Sequence, residues 1–186
     1  MSKVTEWPNR IHRDEFQYPD LIDNSVINLA GTIRQRTGKS MYFTKSRSGQ
    51  VYHPDGDARF PDNETRHFSL HHAGIDHIAS YKQKRIIESP EALARAIDFH
   101  MKFESMDEFF DVAIDISGIV GDGGFGIYPN WKQPGFHIDT RGPLHPAPGA
   151  RWYAYYDAEN VQKYPAVTSW MNTFDTIRSQ FTESFA

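Results

Sequence analysis

The chain has 186 residues, long enough for one hydrophobic core, and its 39% hydrophobic and 14% aromatic content can fill one. A net charge of −4 lacks the basic field that a nucleic-acid binder carries, so nucleic acid is not an expected partner. Cysteine is absent, which excludes disulfides and thiolate ligands and leaves any metal to His, Asp or Glu.

Residues 1–19 are polar, carry Pro8 and Pro19, and read as an extended N-terminal arm. The opening residues hold no apolar run, so no signal peptide is expected and synthesis in the cytoplasm is. No run approaches the roughly 20 apolar residues that span a bilayer. After Asp20, the residues Ile22, Val26, Leu29, Ala30 and Ile33 recur at helical spacing and predict an amphipathic helix. It stops at Thr37-Gly38, with Gly38 as the C-cap. Met41-Tyr42-Phe43-Thr44 reads as a buried strand, and 46–64, rich in Gly, Asp, Pro and Asn, as a loop. Residues 74–79 read as a short strand through Ile75 and Ile78. Ser89-Pro90-Glu91 has the makings of a helix start, with Leu93, Ala94, Ile97 and Met101 as its apolar stripe. A further helix is expected over 106–116, then a loop at Gly118 and Gly121-Asp122-Gly123-Gly124. Residues 125–128 and 136–140 read as a strand pair, and 143–149 as a loop. Val167, Trp170, Met171, Phe174 and Ile177 then predict an amphipathic tail helix.

The chemistry gathers in two places. In Phe136-His137-Ile138-Asp139, strand alternation puts His137 and Asp139 on one face while Phe136 and Ile138 enter the core. A histidine with an aspartate two residues on can be a metal ligand with its orienting partner. The bland alternative is a core histidine beside a surface carboxylate. Upstream lies Ser69-Leu70-His71-His72-Ala73-Gly74-Ile75-Asp76-His77. So few ligands leave a coordination position for water, which separates a catalytic zinc site from a structural one. The glycines of Gly121-Asp122-Gly123-Gly124-Phe125-Gly126 are no phosphate loop, because they lack Gly-Lys-Ser/Thr and enter a strand.

These segments, with Gly126-Ile127-Tyr128-Pro129, Thr140-Arg141 and Ala150-Arg151-Trp152, resemble the zinc D-Ala-D-Ala carboxypeptidase family, whose fold is shared with hedgehog signalling domains. The resemblance spans roughly residues 20–152 and implies an α+β fold, a small central antiparallel sheet with flanking helices. Residues 1–19 would then be the arm and 153–186 an aromatic tail that packs on the domain, a protein partner or a second copy.

The family pattern Ser-x-His-x-x-Gly-x-Ala-x-Asp aligns Ser69, His71 and Gly74, but read without gaps its last ligand falls on Ile78, which binds no metal. A two-residue deletion makes Asp76 the ligand, with His72 or His77 as the alternatives. Asp76 is favoured because Ile75-Asp76-His77-Ile78 mimics the strand that bears the family aspartate. The resemblance thus implies that His71, Asp76 and His137 hold zinc, with the two histidine rings within about 4 Å of each other. The acid that the family often sets three residues before the last histidine is Pro134 here, which leaves Asp139 or His77 to manage protons. Arg47 resembles the arginine that faces the substrate carbonyl. Arg141 and Arg151-Trp152 match the closing signature and read as structural. The implied activity is zinc-dependent hydrolysis of peptidoglycan stem peptides near D-Ala, in phage lysis or virion-borne entry. The alternative is a non-catalytic binding or structural virion module whose zinc site has lapsed.

Overall fold

The computed structural model describes residues 4, 6–8, 11–16, 18–43, 70, 71, 73, 74, 76–83, 87, 89 and 91–180. Among them are four α-helices, α1 (Asn24–Thr37), α2 (His77–Gln83), α3 (Met106–Val120) and α4 (Trp170–Gln180). The strands are β1 (Tyr42–Phe43), β2 (Ala96–His100), β3 (Gly124–Tyr128), β4 (Gly135–Asp139), β5 (Arg151–Tyr153), β6 (Tyr155–Tyr156) and β7 (Gln162–Lys163). The first five form one sheet in the order β1-β2-β4-β3-β5, and β6 and β7 form a separate hairpin. No described helix is long and apolar enough to cross a membrane.

The sheet is mixed, which corrects the antiparallel expectation. β1–β2, β2–β4 and β3–β4 are antiparallel, but β5 runs parallel to β3. The connection after β4 causes this. β4 ends beside Gly124, and the loop over 140–150 rounds that same end of the sheet and starts β5 beside Phe125. β5 therefore opposes β4, and β3 lies between them with the direction of β5.

Three of the predicted helices, α1, α3 and α4, form where the sequence places them. Asp23 accepts from the Ser25 N–H at the start of α1, and Gly38 closes the helix in the left-handed conformation at φ 65°. Ser105 accepts from Glu108 N–H to open α3, which continues through Gly118 to Val120. Their apolar faces meet one face of the sheet. Ile97, Phe99, Phe125, Ile127, Phe136 and Ile138 point to that side and are all fully buried. Phe109 of α3 stacks on Phe136 with ring centroids 5.1 Å apart.

Two short readings are overturned. The described residues of 74–79 form no strand; α2 begins at His77, and Asp76 caps it by accepting from Ala79 N–H at 2.9 Å. Ile75 and Ile78 sit three apart in the sequence, a spacing that one face of a helical turn accommodates and a strand's period of two does not. Residues 91–101 do not form a helix; Ala96–His100 within them become β2, an inner strand paired on both sides. Apolar residues broken by Arg95, Asp98 and His100 satisfy either period, and the ladder partners decide. The arm and the tail both join the core. Ile11 and Phe16 are buried in it, and so are Phe174 and Ile177 of α4.

Phe174 stacks on Phe110 at 4.0 Å, whereas Met171 on the same helix is 75% exposed. Phe174→Ala is expected to cost about 3 kcal/mol of stability and Met171→Ala less than about 0.5 kcal/mol, measured as shifts of the urea midpoint.

Candidate metal centre

The other face of the sheet carries the chemistry. Asp98 on β2 lies opposite His137 on β4, which lies opposite Gly126 on β3, which lies opposite Trp152 on β5. These four positions form one row across the sheet. Asp139 lies in the next row, between Ala96 and Gly124. His71 comes from outside the sheet, held beside it by two backbone contacts. Arg95 N–H donates to Leu70 O at 2.7 Å, and Gly74 N–H donates to Ala92 O at 2.7 Å.

Three buried side chains, His71, Asp98 and His137, lie close enough to hold a metal ion. His71 Nε2 is 3.2 Å from His137 Nδ1, His137 Nδ1 is 2.8 Å from Asp98 Oδ1, and His71 Nε2 is 3.5 Å from the same oxygen. Tetrahedral ligands about 2.0–2.1 Å from zinc stand about 3.3 Å from one another; the edges to His71 are near that separation, and the His137–Asp98 edge is the shorter length of a hydrogen bond. Two imidazoles and one carboxylate also leave a fourth position for water or substrate.

Behind His137 stands a second layer. Its Nε2 faces Asp139 Oδ2 at 3.1 Å. Asp139 is wholly buried and accepts from Gly124 N–H at 2.8 Å, from Arg141 N–H at 3.1 Å and from the Arg141 guanidinium at 2.5 Å. Arg141 in turn lies 5.5 Å over the Trp152 ring. This is the carboxylate–histidine arrangement that fixes which ring nitrogen a metal meets: Nε2–H donates to Asp139 and Nδ1 faces the ligand triangle.

Glycines make the room. A methyl group at Gly126 would overlap the indole of Trp152, which lies 5.0 Å from the His137 ring. A methyl group at Gly124 would overlap Asp139 and Arg141. Arg151 does not seek a carboxylate; it donates to the carbonyls of Ser117, Gly121 and Gly123 and ties the end of α3 to β5.

Burial alone would lower the His137 pKa, but the hydrogen bonds and charges of Asp139 and Asp98 outweigh it and raise it to about 9. Asp98 is pushed up by burial, yet the pull of His71 and the hydrogen bond to His137 bring it below the ordinary carboxylate value. Asp139 is likewise held well below that value, by Arg141 first and then His137, against its burial.

The structure brings His71 and His137 together and places Asp98, not Asp76, between them. Asp76 is exposed at the start of α2. His77 opens α2, and its side chain, like His72 and Arg47, lies outside the described residues. Asp139 is committed to His137 and Arg141, so it orients an imidazole and has no free face from which to pass protons. A helical reading of 91–101 hides Asp98, because a lone acid on such a helix sits on its wet side. Two signals pointed to it: a single carboxylate between Ile97 and Phe99, and Ala96-Ile97-Asp98, which repeats the Ala-x-Asp end of the pattern. The intervening segment leaves at Gly74 and returns at Ala92, closed by the Gly74–Ala92 contact and by Ser89 N–H on Gly74 O at 2.8 Å. A gap-free alignment could not bridge it.

No family model matches the sequence, and no curated protein or solved structure matches the chain.

In metal-free protein, raising the His137 pKa from 6.5 to about 9 gives stability that is complete below pH 6.5 and lost as pH rises through 9. The depressed Asp98 and Asp139 act oppositely, stabilising above the ordinary carboxylate range and losing that contribution in acid. With chelator present, the melting temperature is therefore expected to fall between pH 6.5 and 9, and His137→Gln is expected to flatten that slope.

Proposed function

We propose that the protein is a zinc-dependent peptidase that cuts the stem peptides of peptidoglycan. One observation carries the reading: two histidines and an aspartate from three separate segments meet around one point, close enough to hold a single metal ion. The resemblance supplies the substrate class. It is strengthened by Asp98, because His71, Gly74, Ala96, Asp98 and His137 then carry the family pattern with one closed excursion inserted into it.

Zinc in such a site acts as a Lewis acid and supplies a water-derived nucleophile near neutral pH. The chain's own residues divide the remaining work. His71, Asp98 and His137 hold the ion, and Asp139 keeps the His137 Nε2 proton in place so that Nδ1 presents its lone pair. Arg141 neutralises Asp139 and frees Asp98 to serve the ion. Trp152 walls one side of His137 and excludes water from the Asp139–Arg141 pair. Arg47 is the proposed partner of the scissile carbonyl, and His77 the proposed proton carrier to the leaving amine. Carriage on a virion or release at lysis would bring such an enzyme to its substrate.

Protein purified without added metal is expected to take up one zinc per chain, and Asp98→Asn and His137→Ala to lose it, whereas Asp76→Asn keeps it. Hydrolysis of purified peptidoglycan is expected to stop with chelator and return with zinc. Asp139→Asn is expected to weaken zinc affinity roughly 10- to 100-fold. Failure to bind zinc at all would overturn the peptidase reading and leave a non-catalytic binding module.

A further inference from the structure

Hydrolysis of an amide drives negative charge onto its carbonyl oxygen, and one donor aimed at that oxygen is worth about 100-fold or more in rate. Most donors on the ligand-bearing face of the sheet are already committed. The Arg141 guanidinium goes to Asp139. Trp152 Nε1–H turns to the hydroxyl of the buried Tyr128 at 3.4 Å. His100 Nδ1–H donates to Gln133 O at 2.7 Å, which leaves Nε2 of the neutral ring an acceptor.

Tyr42 on the edge strand β1 is placed differently. Its neighbour Phe43 enters the core, with ring centroids 4.6 Å from Phe16 and 6.4 Å from Phe99. Strand alternation therefore turns Tyr42 to the opposite face, the one that bears the ligands. It stands directly across from His100, which lies two residues beyond Asp98 on that face. Tyr42 is thus the diagonal neighbour of Asp98, at a separation of about 7–8 Å that an aromatic side chain can span. It is 48% exposed, and its hydroxyl has no hydrogen-bond partner among the described residues. A groove of about 630 Å³ runs along the same edge of the sheet, lined by Ser40, Met41 and Tyr42 with Arg34 and Gln35 of α1 behind them. A bound chain has room there beyond the phenol.

We propose that Tyr42 is a catalytic residue whose hydroxyl donates a hydrogen bond to the scissile carbonyl oxygen of a peptide lying across β1 and β2, and holds that oxygen as it becomes negative. The proposal rests on the peptidase reading for the bond that is cut. Tyr42 joins Arg47 at that oxygen and keeps its own proton throughout, so the bond it makes is strongest in the transition state and acts on kcat.

The test is Tyr42→Phe, which removes only the hydroxyl, in the zinc-loaded full chain, with Tyr156→Phe at an exposed position on β6 as the control. On a stem peptide ending in D-Ala-D-Ala, Tyr42→Phe is expected to lower kcat roughly 100-fold with KM and zinc content little changed. A phosphinate analogue, with a tetrahedral phosphorus and a methylene in place of the scissile amide, is expected to bind Tyr42→Phe about 100-fold more weakly by calorimetry. The product peptide, which has no tetrahedral centre, is expected to bind the variant and the unaltered chain alike. Unchanged kcat or unchanged phosphinate affinity in Tyr42→Phe would overturn the proposal. A Tyr42→Phe chain that loses its zinc or its circular-dichroism spectrum would overturn it too, since the hydroxyl would then be supporting the structure. If neither chain cuts the peptide, the peptidase reading fails separately and the phosphinate titration decides. Weaker binding to Tyr42→Phe than to the unaltered chain would sustain the hydroxyl contact, and equal binding or none would overturn it.

Discussion

The constraint on which the structure turns is the burial of His137 between two carboxylates in the middle of a sheet. Asp98 and Asp139 flank its two ring nitrogens at 2.8 and 3.1 Å, and none of the three is more than 7% exposed. Charges so placed cost several kcal/mol each unless they are paired and hydrogen-bonded. Arg141 and the Gly124 N–H complete Asp139, and Arg141 is itself fixed by Trp152. Glycine at 124 and 126 follows from the same need, because a side chain there would displace the groups that make the cluster tolerable.

A sheet with one such face must anchor itself on the other. The alternate residues of β2, β3 and β4 do this, delivering Ile97, Phe99, Phe125, Ile127, Phe136 and Ile138 to α1, α3 and α4. One strand thereby serves two ends. Phe136 and Ile138 bury the helices' side of β4, and His137 between them is held at a fixed height above the sheet for its ligand partners. The backbone pairing that positions Asp98 against His137 thus draws its rigidity from the aromatic core beneath, and a cavity there would be felt at the His71–Asp98–His137 cluster.

His71 is positioned by different means. It reaches the sheet from outside, tied by Leu70 to Arg95 and by Gly74 to Ala92. Those contacts close the excursion that holds α2 and bring His71 to Asp98 although a long stretch of chain separates them. The ligand set therefore depends on a loop being closed as well as on strands being paired, and closing a longer loop costs only slightly more than closing a short one. That is the physical reason His71 and Asp98 can meet although they stand far apart in the chain.

The elements legible in the sequence were those whose pattern is local and long. Helix α1 with Gly38, helix α3, the β3–β4 pair and the tail helix each carry their own period or cap, and the alternation of Phe136, His137, Ile138 and Asp139 put the right two side chains on one face. Short segments misled: 74–79 reads as strand although helix α2 begins within it at His77, and 91–101 reads as helix although Ala96–His100 folds as strand β2, because a few apolar residues do not fix the period. The parallel pairing of β5, the burial of Ile11 and Phe16, and above all the choice of Asp98 over Asp76 depended on contacts between distant segments. By itself the sequence determined which residue types could bind a metal and which local faces they occupied. Only the tertiary structure decided which carboxylate met the two histidines, since that is set by strand register and loop closure, and neither has a local signature.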